Sequence, residues 1–375
     1  MGAPSINISF IEKAISAITR GERGIVMLLV KDALAAPAVN PATVVLESDI
    51  PNTFSDATKE QIKLALIGYV NTPKKVLVYG MGIANNADAA AIKAGYDAAL
   101  LAIETIKFDY LAIPTVQTDG KAQDIATWVK TMRTTKKKKI KAVLPNTEAD
   151  NEGVVNYSID KNVKTDSTKA ADGTITKVDT IYTAEQYCSR IAGLIAGTPL
   201  TISCTNAPLG ELSDCTRLND IDTPVDEGKF ITFWDGEKVK VVRGVNSFVT
   251  TTEGKGDSFK KIKIVEAMDM INDDITKTAQ DNYLGKYANS YNNKCILMTA
   301  ISGYFMQLLK DGIISSYLVD IDIAAQTSYL QLKGIDTSEM TEDEIRVADT
   351  GSKVFLTGNV KILDAIEDIA MPIYI

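Results

Sequence analysis

Six consecutive apolar residues, Ile25-Val26-Met27-Leu28-Leu29-Val30, constrain the fold of this chain more than any other feature. A run this short and this uninterrupted reads as a strand buried on both faces, the environment of a parallel sheet covered by helices. The sequence from Gly24 to Gly197 alternates as such a sheet requires. Ile62, Leu66 and Tyr69 recur at helical spacing before a strand over 76–79. Next comes a long alanine-rich helix, capped by Asn86, with Ile92, Tyr96, Leu100 and Ile103 as its inner stripe. A strand over 110–113 stops at Pro114, a helix covers 121–133, a strand over 140–144 stops at Pro145, and 184–196 is helical. This order predicts right-handed βαβ units and a mostly parallel, helix-covered sheet.

Residues 154–178 are polar and carry Asp172-Gly173, a favoured hairpin turn, so they read as a surface hairpin or projecting loop. Residues 201–226 are loop-like, and 230–234 and 238–242 flank Asp235-Gly236 as a second hairpin. After Thr250 helices dominate. Ile264, Met268, Ile271, Ile275 and Ala279 mark one face of a helix over 260–283, and Leu297, Ile301, Tyr304 and Leu308 mark another that ends near Gly312. Thr341-Glu342-Asp343-Glu344 is a capping box. Residues 354–356 are β-like and 360–368 helical. The fold class is therefore α/β, with a smaller α+β domain at the C-terminal end.

Both termini read as strands without a partner. Ile6, Ile8 and Phe10 alternate with polar residues, and Ile369, Met371, Ile373 and Ile375 alternate with Ala370, Pro372 and Tyr374. A period of two gathers each set on one face. Chain ends are usually polar and frayed. Two readings stand: each end tucks into its own domain, or neighbouring subunits exchange strands to build a polymer.

The 375 residues contain no histidine. That removes the commonest general base, the commonest transition-metal ligand and every Ser-His-Asp or Cys-His arrangement. Cys188, Cys204, Cys215 and Cys295 are scattered and read as reduced core thiols. A net charge of −8 argues against a nucleic-acid partner, and no apolar run approaches the roughly 20 residues that span a bilayer. The N-terminal residues also lack a signal-peptide pattern. Gly80-Met81-Gly82 sits where a dinucleotide fingerprint would, but Asn85 occupies the place of the third glycine, so a tight βα turn is the better reading. A cytoplasmic α/β nucleotide-binding enzyme is the alternative this leaves. The Lys136-Lys137-Lys138-Lys139 run reads as a solvated turn. Asp269, Asp273, Asp274 and Asp281 crowd one helix, as a solvated face or one that meets a protein partner. The expectation is a protein with no catalytic, cofactor or metal site.

An ordered series in the second half then narrows the reading. Arg243-Gly244-Val245-Asn246-Ser247 is followed by Ile264-Val265-Glu266-Ala267-Met268-Asp269-Met270-Ile271 and by Tyr283-Leu284-Gly285-Lys286-Tyr287-Ala288-Asn289. Gly358-Asn359-Val360-Lys361-Ile362-Leu363-Asp364-Ala365-Ile366-Glu367-Asp368 closes it. The series resembles tail sheath proteins of contractile phage tails and phage-tail-like bacteriocins, particularly the compact forms of Gram-positive bacteria. The opening, Ile6 to Phe10 and then Arg20-Gly21-Glu22-Arg23-Gly24-Ile25, is similar to the N-terminal arm of the same family.

The resemblance implies a structural polymer subunit rather than an enzyme. It implies six-fold rings stacked as a helical homo-oligomer around an inner tube, with baseplate and tail terminator proteins as further partners and no nucleic acid or membrane. Such a protein is made in the bacterial cytoplasm and assembled into a virion tail or tail-like particle. The expected organisation is an N-terminal arm over 1–20, an α/β outer domain over 21–250, an α+β inner domain over 251–365 and a C-terminal arm over 366–375. The arms would add strands to neighbouring subunits through Ile6, Ile8, Phe10, Ile369, Met371, Ile373 and Ile375. Asp269, Asp273, Asp274, Glu367 and Asp368, as exposed charges, would contact the tube.

Overall fold

The computed structural model describes residues 17–34, 39–169 and 175–374. The chain divides into two compact units. The larger comprises Glu22–Asp269 and the segment from Asp364 onward; the smaller comprises Met270–Leu363 with the stretch that ends at Gly21.

The larger unit is built on β1 (Ile25–Val30), β2 (Ala42–Val44), α1 (Asp56–Leu66), β3 (Lys75–Gly80), α2 (Ala89–Ile103), β4 (Tyr110–Ala112), α3 (Ala122–Thr134), β5 (Lys141–Pro145), β6 (Val154–Tyr157), β7 (Asn162–Lys169), β8 (Ile175–Tyr182), α4 (Ala184–Ala196), β9 (Asp214–Cys215), α5 (Asp222–Asp226), β10 (Lys229–Phe230), β11 (Thr232–Trp234) and β12 (Val239–Val241). Seven strands form one sheet in the order β10-β6-β5-β4-β1-β3-β2. Every neighbouring pair is parallel except β2 with β3. β1 lies between β3 and β4, with Val26 opposite both Val76 and Tyr110. All six of its residues are buried. Their period of two explains why: Val26, Leu28 and Val30 enter the core under α1 and α4, whereas Ile25, Met27 and Leu29 enter the core under α2 and α3.

Two glycines are fixed by close approach. A Cβ on Gly193 of α4 would stand 2.0 Å from the Ala65 carbonyl oxygen of α1, so only glycine lets these helices meet. A Cβ on Gly80 would stand 2.6 Å from the Asp32 carbonyl oxygen, where the loops after β1 and β3 touch. Asn40 fastens the same point, giving Nδ2 to the Gly80 carbonyl at 2.9 Å and accepting its N–H at 3.1 Å. The glycine pair thus serves a packed βα turn.

Several expectations shift. The α2 cap is Asp88, whose Oδ1 accepts from Ala91 N at 2.8 Å, and not Asn86. Residues 154–157 join the parallel sheet as β6; only β7 and β8 make the expected hairpin, and its Asp172-Gly173 turn lies outside the described residues.

α6 (Ile262–Asn282) starts in the larger unit and ends in the smaller. The smaller unit continues with α7 (Tyr291–Lys310), β13 (Ile314–Ile321), α8 (Ile323–Leu332), α9 (Glu342–Val347) and β14 (Leu356–Ile362). α9 opens with the expected Thr341–Glu344 capping box. β13 and β14 pair antiparallel, Tyr317 opposite Val360, and Phe305 of α7 packs its ring 5.7 Å from that of Tyr317. The helix expected over 360–368 is not formed. Its β-branched Val360 and Ile362 fit the pleated ladder with β13, and that pairing overrides a weak helical pattern. Asp320 and Asp322 each serve an intramolecular contact. Asp320 takes both Arg346 Nη atoms at 2.5 and 2.8 Å, and Asp322 caps α8.

Candidate functional site

Beyond β14 the chain leaves regular structure, and its apolar residues stay in solvent. Ile366 is 88 % exposed, Ile369 83 %, Met371 72 %, Ile373 73 % and Tyr374 91 %. A contiguous exposed series of large side chains marks a surface that meets another molecule. Ile369, Met371 and Ile373 are each exposed in a segment that forms no strand here; Ile6, Ile8, Phe10 and Ile375 lie outside the described residues.

The root of this tail is held. Glu367 is folded inward, its side chain only 5 % exposed, and its Oε1 accepts from Ser203 Oγ at 3.1 Å and Thr205 Oγ1 at 2.5 Å. Lys261 Nζ lies 3.5 Å and Arg243 Nη1 3.9 Å from its Oε2. Lys261 also pairs with Asp364, and Arg243 Nη2 meets Asp368 Oδ1 at 2.6 Å. Partial burial favours a neutral Lys261, but the Asp364 and Glu367 carboxylates beside it raise its pKa on balance.

In the smaller unit, the sheet of β13 and β14 has no third strand among the described residues. Each strand therefore keeps one edge without a ladder. A two-stranded sheet is marginal by itself, and an open edge is a template for a further strand.

The acidic residues expected on an exposed face are mostly committed internally. Asp269 is buried and receives Arg133 Nη1 at 2.8 Å, Arg133 Nη2 at 2.9 Å and Lys141 Nζ at 3.2 Å. Its neighbour Glu266 takes Lys141 at 2.8 Å, Tyr110 Oη at 2.5 Å and Arg23. Burial pushes the Asp269 carboxyl up, and Lys141 and Arg133 more than reverse that, holding it below the usual carboxylate range. In the smaller unit Asp274 is buried, accepting from Gly21 N and Tyr304 Oη, both at 2.8 Å. Asp269, Asp274 and Glu367 therefore do not present charge outward. The spacing placed Asp269 and Asp274 correctly on α6, whereas Glu367 lies beyond β14 and not in the expected helix, and a local pattern does not reveal what packs against it. Asp273 is half-buried, and Asp368 is exposed.

Among the described residues no group of His, Cys, Asp or Glu is arranged to hold a metal ion, and no helix is long and apolar enough to cross a membrane. Comparison with known proteins completes the picture. Residues 89–247 match the phage tail sheath protein central domain and residues 254–375 the phage tail sheath C-terminal domain. The tail sheath protein of Clostridium phage phiCD119 is 35% identical over 371 residues, 98% of each chain.

The chain belongs to the phage tail sheath family.

Solved sheath structures share its fold. The sheath tail protein of Desulfitobacterium hafniense has a TM-score of 0.66 at 20% identity, covering 85% of this chain and 94% of that one. The helical sheath of the anti-feeding prophage in its contracted state has a TM-score of 0.65 at 14% identity, covering 100% of this chain and 99% of that one. This sheath protein is a structural component of a contractile tail or tail-like particle, not an enzyme. The sequence reading missed Arg243 and Lys261 as partners of the tail, although Arg243 opens the ordered series that carries the family resemblance. It also missed Arg133 and Lys141. Their only signal is a cation at the inner edge of a helix and at the head of a buried strand.

Proposed function

We propose that this sheath protein polymerises as stacked six-fold rings around an inner tube, each subunit lending its terminal segments to its neighbours as added strands. The observation that carries this reading is the exposed alternating series Ile369, Met371, Ile373 beyond a fixed root. The open edges of β13 and β14 are acceptors of the right kind, so each donated strand would gain ladder hydrogen bonds while burying its apolar face. A large apolar side chain contributes roughly 1.5–3 kcal/mol when fully buried, so a few per arm hold subunits together while their bodies move. Ile6, Ile8 and Phe10 would do the same at the other end. Contraction of the sleeve then drives the tube through a target envelope, with baseplate and terminator proteins closing the sleeve's ends. Made in the bacterial cytoplasm, the subunits are assembled into a virion tail or an extracellular tail-like particle. Contact with the tube falls to charge that remains near solvent, with Asp273 as the candidate.

The test is truncation after Asp368. The shortened chain should stay folded and dispersed, with no sleeves or rings by negative-stain microscopy where the full chain makes them. Normal sleeves from the truncated chain would overturn the reading.

A further inference from the structure

The tail of this chain is free, but its point of departure is not. Three acidic residues within five positions, Asp364, Glu367 and Asp368, meet two cations contributed by other segments of the larger unit, Arg243 and Lys261. The centre of the knot is the inward-folded Glu367, whose carboxylate also receives the Ser203 and Thr205 hydroxyls. On its two sides the chain is solvent-facing: Ile366 is 88 % exposed before it and Ile369 83 % exposed after it. An exposed apolar segment adjoining an inward-folded carboxylate, its Oε1 hydrogen-bonded to two hydroxyls and its Oε2 within 4 Å of two cations, is a fixed root carrying a free arm. Arg20 and Gly21, near the other end of the described chain, are held in a comparable way. Arg20 Nη2 lies 2.7 Å from Asp311 Oδ2, and the Gly21 N–H donates to Asp274 Oδ1 at 2.8 Å.

We propose that the knot of Arg243 and Lys261 with Asp364, Glu367 and Asp368 aims the C-terminal arm, so that these are positioning residues for sheath assembly rather than tube contacts. This rests on the reading that the arm is donated to a neighbour. The physical reason is preorganisation. A segment that becomes a strand on a neighbour must be ordered as it binds, and that cost falls when its root already leaves the body at a fixed place and direction. An ionic knot suits the role better than a greasy one, because charge-assisted hydrogen bonds fix direction as well as distance. Its centre resists release, since freeing one partner leaves a buried carboxylate uncompensated.

Full-length Arg243→Glu, Asp368→Arg, their double variant and Glu367→Gln are compared with the unsubstituted chain and with the chain truncated after Asp368. Hydrogen–deuterium exchange over 364–374 is read in the unassembled protein, sleeve formation by pelleting and microscopy, and global integrity by melting temperature. Arg243→Glu should quicken exchange at 364–368 with little change in melting temperature, and should lower sleeve yield about tenfold, equivalent to ~1.4 kcal/mol in the assembly equilibrium. The double variant, which restores an oppositely charged pair, should recover most of the yield. Glu367→Gln keeps the acceptor for the hydroxyls but loses the charge, and should lie between. If the truncated chain makes no sleeves while the root variants assemble normally, the aiming role is wrong and strand donation stands. Failure of the double variant to recover yield also overturns it. If the truncated chain itself makes sleeves, donation falls, and the aiming role with it.

Discussion

Arg133 grips Asp269 with two parallel hydrogen bonds, Nη1 to Oδ2 at 2.8 Å and Nη2 to Oδ1 at 2.9 Å, and both side chains are more than 90 % buried. The pair fastens the C-terminal end of α3 to the first part of α6 within the larger unit. Fork-to-carboxylate geometry of this kind is the strongest form of ion pair in proteins. It also makes the site sensitive, because a charge that loses its partner inside the protein stays desolvated.

Asp269→Ala should therefore destabilise the larger unit by about 3–5 kcal/mol, the usual cost of stranding one member of a buried pair. Lys141→Met should cost less. It leaves Asp269 with Arg133 and Glu266 with Arg23. Urea unfolding of the two variants checks the order; equal losses would contradict it.

Acid should find the same site. Asp269 and Glu152 are each pushed up by burial, but the cations beside them, Lys141 and Arg133 for Asp269 and Arg133 for Glu152, hold both carboxyls below their ordinary values. A carboxyl whose folded pKa is depressed contributes stability above its unfolded value, about 4, and loses it as pH falls through the folded value. Unfolding midpoints should be flat from pH 7 to about 5 and drop below about pH 4. Asp269→Asn should start lower and show a shallower acid limb.

Gly193→Ala places a methyl group 2.0 Å from the Ala65 carbonyl oxygen, which is backbone and cannot swing aside. α1 and α4 must separate, at a cost of about 3 kcal/mol, near the top of the range for overpacking. A melting temperature unchanged from that of the parent chain would argue against this contact.

The thiols should divide by burial. Cys188, Cys204 and Cys215 are buried, and Cys295 is partly exposed. Burial raises the pKa of the first three, that of Cys204 to about 12, so little thiolate forms at pH 8. A native titration with a disulfide reagent should show one fast thiol, abolished by Cys295→Ser, and four in denaturant.

Ile369→Asn with Ile373→Asn should leave the unfolding free energy of the unassembled protein within about 0.5 kcal/mol of the parent, as expected for exposed positions. Sleeve formation should nonetheless fail. Loss of monomer stability would mean that the tail packs on its own subunit.

The sequence alone determined the α/β plan and most of its elements. Those elements announce themselves through local signals: six apolar residues with nothing polar between them, the Thr341–Glu344 capping box, and prolines and glycines at the ends of runs. α4 falls on the expected 184–196, and β1 on the expected Ile25–Val30. The alternation of Ile369, Met371 and Ile373 is a property of the chain itself, but within the described residues 363–374 it forms no strand. Tertiary structure decided what each charge does. Asp269, Asp274 and Glu367 look alike in sequence to any solvated carboxylate, yet their partners stand 136 residues away at Arg133, 253 at Gly21 and 164 at Ser203. It also decided the fate of 360–362, where pairing with a strand more than 40 residues earlier outweighed a local helical pattern. A hydrophobic period depends only on the chain's own geometry. Whether a carboxylate faces water or an arginine depends on what the rest of the chain brings to it.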